Sequence, residues 1–142
     1  MKVALLDVNV LLALAWPNHQ HHTIAHNWFS TQSRNGWASC ALTQLAFIRL
    51  SANPAYTANA VSPQEAAALL AEFIQHKHHR FWSSPPATSP NIYSHALGHQ
   101  QVTDAYLATI ARHQKGRLVS FDARTAAHAP EIVDLIPSIP TD

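Results

Sequence analysis

Short apolar runs alternate with amphipathic stretches along this chain, and the alternation predicts strands and helices in turn. Val3-Ala4-Leu5-Leu6 is unbroken apolar sequence after Lys2, the pattern of a strand buried on both faces. Val10 to Trp16 reads as a short helix stopped by Pro17. From His19 to Ser33, Ile24, Trp28 and Phe29 recur at helical spacing with polar residues between them. Asn35-Gly36 signals a turn, and Trp37 to Cys40 a second strand. Thr43 is placed to cap a third helix, whose apolar face is Phe47, Ile48 and Leu50 and which Asn53-Pro54 ends. Ser62-Pro63-Gln64-Glu65 marks a helix start: a serine cap, a proline at the first helical position and a glutamate able to close a capping box. That helix continues through Leu69, Leu70, Phe73 and Ile74 towards a run of histidines.

Arg80 to Ser83 predicts a third strand, and Ser84 to Pro90, with three prolines, a loop. Asn91 to Leu97 reads as a short helix before Gly98. Val102 to Gln114 places Val102, Tyr106, Leu107 and Ile110 on one helical face, with Gly116 as its stop. Arg117 to Phe121 is a fourth strand and Ile132 to Ile136 a short fifth, followed by a loose tail. No repeat or linker divides the chain, so residues 1–142 read as one domain. Strands alternating with helices predict a three-layer α/β/α fold with a mainly parallel sheet of four to five strands.

Composition narrows the function. Nine basic and eight acidic residues leave no basic footprint, so contact with nucleic acid must rest on a local patch. A single cysteine, Cys40, excludes an internal disulfide and suits a reducing compartment. No apolar stretch approaches the roughly 20 residues that span a bilayer, and no signal peptide is recognisable. A cytosolic protein without membrane partners is expected. Three glycines leave no room for a glycine-rich phosphate loop.

The acids are few, which makes their places informative. Asp7 ends the first strand, Asp122 ends the fourth, and Asp104 opens the helix that feeds the fourth. Right-handed parallel connections put all three on the carboxyl edge of the sheet, where ligands bind in such folds. Thr43-Gln44, opening the helix after strand two, falls on that edge as well. Two ionised carboxylates about 5 Å apart repel by roughly 3 kcal/mol at an effective dielectric near 20. A divalent cation removes that cost, and all-oxygen ligands select Mg²⁺, with Mn²⁺ able to substitute. Hydrolysis of a phosphodiester by metal-activated water is the chemistry such an arrangement suits.

These residues resemble the PIN domain family, and within it the VapC-type toxin ribonucleases of bacterial toxin–antitoxin pairs. The matching stretches are Leu5-Leu6-Asp7-Val8-Asn9-Val10-Leu11-Leu12, His19 to Phe29, Leu42-Thr43-Gln44-Leu45-Ala46-Phe47-Ile48-Arg49, Gln101 to Ala108 and Leu118 to Asp122, in the family's order. The resemblance implies a Mg²⁺-dependent endoribonuclease with Asp7, Gln44, Asp104 and Asp122 as the catalytic set and the three aspartates as metal ligands. Asn9, Thr43 and Ser120 would support that set from behind, and Arg49 would meet an RNA phosphate. It further implies an RNA substrate, a homodimer, and a cognate VapB-type antitoxin through which operator DNA is reached. One position departs from the family: Gln44 stands where a glutamate is usual. It brings no charge, so metal binding is expected to be weaker. The alternative is a catalytically weak or inactive module that binds RNA or antitoxin.

Bland roles compete at each position. An aspartate after a strand also caps helices, and Asp104 in a first helical turn also complements the helix dipole. The dense histidines at 19–22 and 76–79 lack a cysteine or acid at ligand spacing and read as solvated helix faces or ends. Arg112, Lys115 and Arg117 fall at the opposite sheet edge. The tryptophans read as core, with Trp16 a possible interface residue. A phosphatase of the haloacid dehalogenase type needs a second aspartate where Asn9 stands.

Overall fold

A computed structural model describes residues 2–83 and 85–138. Among these residues eleven strands and α-helices follow in order: β1 (Ala4–Leu6), α1 (Val8–Ala15), α2 (His22–Gln32), β2 (Trp37–Cys40), α3 (Ala41–Ser51), α4 (Pro63–Phe73), β3 (His79–Trp82), α5 (Val102–His113), β4 (Arg117–Ser120), α6 (Ala123–His128) and β5 (Val133–Leu135). The strands form one sheet in the order β3-β2-β1-β4-β5, with every neighbouring pair parallel. This is the mainly parallel, helix-flanked α/β architecture that the sequence pattern predicts.

Side chains of a strand alternate between faces, so the sheet divides two cores. Leu5 joins Ala38, Trp82, Leu107, Ile110 and Leu118 on the α5–α6 face. Leu6 joins Val10, Leu11, Trp37, Phe47 and Leu70 on the α1–α4 face. Both leucines are fully buried, which explains why β1 reads as unbroken apolar sequence. No helix among the described residues is long and apolar enough to cross a membrane.

Differences from the expected elements have local causes. α1 starts at Val8 rather than Val10 because the Asp7 carboxylate caps it, accepting the Val8 N–H at 2.8 Å. Thr43 is not the cap of α3. It lies inside the first turn and is buried, its hydroxyl accepting from the Cys40 N–H and donating to the Cys40 carbonyl, both at 3.1 Å. Ser62 does cap α4, accepting the Glu65 N–H at 3.1 Å. Asn91 to Leu97 is no α-helix: a 3-10 turn over Pro90–Tyr93 is followed by irregular chain. The sequence pattern does not predict α6, a six-residue helix capped by Asp122. Ser84, where the proline-bearing loop was placed to begin, and residues 139–142 of the tail lie outside the described residues.

Candidate functional site at the carboxyl edge

After β1 the chain builds outward through β2 to β3, then returns to lay β4 on the other side of β1. The sheet order therefore reverses between β1 and β4, and the carboxyl ends of those strands frame the ligand crevice of such a fold. Asp7 follows β1, and its N–H is held by the Val119 carbonyl of β4 at 2.9 Å. Its side chain is 5% exposed. One carboxylate oxygen takes the Val8 N–H, and the other takes the Ser120 hydroxyl at 2.8 Å. Ser120 in turn accepts from the Asn9 amide at 3.1 Å and the Asp122 N–H at 3.0 Å. The Asn9 carbonyl oxygen accepts the Phe121 N–H at 3.2 Å. Asn9 and Ser120 thus tie the end of β4 to the start of α1 around Asp7.

Burial pushes the Asp7 carboxyl up to about 6, against the Ser120 hydrogen bond, with the charges of Asp104 and Asp122 raising it further. Asp104 is raised too, chiefly by burial, although Thr125 donates its hydroxyl to it at 3.0 Å. Asp122 caps α6, accepting the Arg124 N–H at 2.8 Å. A cavity of about 720 Å³ opens between residues 91–101, α5 and α6, and Asp104, Asp122, Arg112, Arg124 and Thr125 are among its lining residues. Asp7, Asn9, Gln44 and Ser120 do not line it.

Gln44 is anchored through its amide nitrogen. Its amide donates to the Ser39 hydroxyl at 3.0 Å, and Ser39, fully buried, lies 2.7 Å from the His79 Nε2. Burial lowers the His79 imidazole below its ordinary value. A neutral His79 accepts the Ser39 proton, which leaves a Ser39 lone pair for the Gln44 amide. Gln44 is thereby tied to β2 and β3. Arg49 is exposed in the last turn of α3. It does not line the cavity.

Several of the other cations and rings have structural partners. Arg117 pairs with Asp134 through two hydrogen bonds, at 2.6 and 2.7 Å, and Arg112 pairs with Glu131. His22 Nδ1 and His26 Nε2 lie 2.7 and 2.8 Å from the Ala13 and Leu14 carbonyls, so they close the last turn of α1, with His26 still exposed to solvent. His76 accepts the Trp37 indole N–H at 3.2 Å. Trp37 and Trp82 are core.

The expected Mg²⁺- or Mn²⁺-dependent ribonuclease centre needs correction. Among the described residues, no group of three or more His, Cys, Asp or Glu side chains is placed to hold a metal ion. The aspartates reach one edge and feel each other's charge, yet each commits an oxygen to its own local donor: Val8 and Ser120 for Asp7, Thr125 for Asp104, Arg124 for Asp122. Gln44, at the position of the usual acid, brings no carboxylate. Without such a group a hard divalent cation has no set of acids to hold it here, so the metal-dependent hydrolase reading is withdrawn.

Sequence reasoning missed Ser39, His79, Thr125 and the cavity wall at 91–101. Thr125 had one faint signal, its place three residues after a capping aspartate. Ser39 and His79 had none, because their pairing is made across two strands.

The chain belongs to the PIN domain family, whose model matches residues 4–131. Within it the relatives are VapC-type toxins, as the motifs implied. Ribonuclease VapC39 of Mycobacterium tuberculosis is 42% identical over 132 residues, covering 89% of this chain and 93% of that protein. Ribonuclease VapC38 of the same species is 40% identical over 121 residues, covering 85% and 86%. A solved structure titled as VapBC2 from Rickettsia felis bound to a DNA fragment from their promoter matches with a TM-score of 0.63 over 94% of this chain and 98% of that one. At 12% identity that match speaks for the fold.

Proposed function

We propose that residues 1–142 act as one cytosolic PIN-like domain that binds RNA and an antitoxin partner and is catalytically weak or inactive. The observation that carries this reading is the make-up of the edge: Gln44 replaces a charge and is hydrogen-bonded to Ser39, and among the described residues no three acids or histidines are placed to hold a metal ion. Asp104 and Asp122 on the wall of the large cavity favour a cationic group there, such as the basic side chain of a VapB-type antitoxin. The likeness to a VapBC complex on promoter DNA supports an assembly in which operator DNA is reached through the antitoxin. Exposed Leu42 and Leu45 on α3 support a homodimer. In this reading Asp7, braced by Asn9 and Ser120, shapes the edge, Thr43 holds the start of α3, and Arg49 meets an RNA phosphate.

The test pairs the purified chain with the antitoxin encoded beside its gene, and separately with single-stranded RNA in excess Mn²⁺. A stable protein complex and RNA that is bound but uncut are expected. Mn²⁺-dependent cleavage that disappears in a folded Asp7→Asn variant would overturn the proposal.

A further inference from the structure

A second cavity, of about 260 Å³, lies where α1 and α3 end, between residues 16–20 and 51–59. Its floor is Leu12 and Trp16, and Asn18, Gln20, Tyr56 and Asn59 stand around it. The Trp16 indole is held in place by its N–H, donated to the buried Ser51 hydroxyl at 2.9 Å. Among the described residues, no Asp, Glu, Lys or Arg lines the space. Burial beside His21 and His22 keeps His19, also on the wall, below the ordinary imidazole range, so it is mostly neutral at physiological pH.

This chemistry selects its ligand. An uncharged lining gives no purchase to a phosphate, a carboxylate or an ammonium group. The volume sits below the usual range of about 300–1,000 Å³ for ligand pockets, enough for one planar ring system and too little for a peptide segment. Side-chain amides offer a donor and an acceptor side by side, the arrangement that pairs with the edge of a base. Tyr56, 49% exposed, and Trp16 supply aromatic faces, on which bases stack with little regard to sequence.

A path connects the pocket with the carboxyl edge. The His19 and His21 rings lie 5.7 Å apart, and His21 stacks on Phe121 at 4.8 Å with 26° between the planes. Phe121 immediately precedes Asp122, and its N–H is held by Asn9. We propose that the pocket takes one unpaired nucleobase of a single-stranded RNA whose backbone follows the His19–His21–Phe121 line towards the carboxyl edge. The proposal rests on the RNA-binding half of the function given above and adds a site away from the aspartates.

The experiment follows backbone amide resonances of the full chain during titration with adenosine, guanosine, cytidine and uridine, and measures binding of a labelled short single-stranded RNA. Nucleoside shifts confined to residues 16–20 and 51–59 are expected. Tyr56→Ala should weaken RNA binding about tenfold without disturbing the fold, because its ring is half exposed. Asn59→Ala, also at an exposed position, should change the order of preference among the four nucleosides. RNA binding at parental strength in both variants, with no nucleoside shifts at the pocket, overturns the site and leaves the RNA reading intact. Nucleoside shifts at the pocket with no binding of the oligonucleotide sink the RNA reading and support the site.

Discussion

At the scale of single residues, Asp7 sets a pH dependence with a definite sign. In the folded chain it keeps its proton up to about pH 6, whereas the unfolded chain releases it near 3.8. Between those values the folded state binds more protons, so stability falls as pH rises. The gap amounts to roughly 3 kcal/mol, present near pH 4 and lost by about pH 6.5. Urea unfolding midpoints should therefore decline across that window, and Asp7→Asn should flatten the decline; an unchanged slope in the variant would move its origin elsewhere. Gln44 gives a second residue-scale test. In Gln44→Glu a carboxylate would face a Ser39 oxygen whose proton is already given to His79. The relay is relieved when His79 takes a proton, so the variant should raise the His79 pKa, read from its ring resonances, and cost about 1 kcal/mol at neutral pH. A His79 titration that does not move would mean that the three side chains are not coupled. The contrast between these residues shows what a sequence carries. Asp7, Asn9 and Ser120 converge as expected because each stands at the end of a recognisable strand or the start of the next helix. What lies behind Gln44 was not legible, because β2 and β3 bring His79 to its partner Ser39 over a separation of 40 residues.

At the scale of elements, the end of α5 separates two uses of a small residue. The Gly116 N–H bonds to the Ala111 carbonyl at 2.8 Å and the Lys115 N–H to the Arg112 carbonyl at 3.0 Å, the paired bonds of a Schellman stop. The left-handed residue of that stop is Lys115, at φ 56°, not the glycine. Gly116 is required for space: a Cβ there would lie 2.6 Å from the Val3 carbonyl oxygen and 2.7 Å from the Trp82 ring. Lys115→Gly should accordingly stabilise the protein by about 0.5–1 kcal/mol, since it removes a left-handed penalty at the cost of some chain entropy. Gly116→Ala should destabilise it by about 1–3 kcal/mol. Thermal midpoints of the two variants should shift in opposite directions, and a common direction would show that the two roles have been exchanged. From sequence the glycine marked the stop correctly, but a pattern cannot tell a glycine needed for its φ from one needed for its missing side chain. α6 was illegible for a related reason: six residues are fewer than two helical turns, too few to display a period.

At the scale of the whole molecule, the sheet joins two layers that each carry part of the carboxyl edge. Asp7 and Asn9 belong to the α1 side; Asp104 and Thr125 ride on α5 and α6; Ser120 and Asp122 follow from β4 between them. That the aspartates share an edge was legible, because parallel connections with a fixed hand leave few alternatives. Whether their oxygens meet at one point was not, because it depends on which donor each oxygen finds, and Thr125 and Ser120 reach Asp104 and Asp7 only through tertiary packing. The two layers can be loosened separately. Leu5 shares one core with Leu107 and Ile110 of α5, and Leu6 shares the other with Val10 and Leu11 of α1. Truncating either fully buried leucine to alanine should cost about 2–5 kcal/mol, from lost transfer energy and the cavity left behind. The damage should be one-sided. In Leu5→Ala, amide exchange should accelerate first in α5 and α6, freeing Asp104 from Thr125 while the Asp7–Ser120–Asn9 network stays protected. In Leu6→Ala the order should reverse, with α1 exchanging early and the cavity beside Asp104 and Asp122 kept. Equal acceleration of both layers in both variants would instead mean that the cores open as one unit, and that the carboxyl edge cannot be loosened on one side alone.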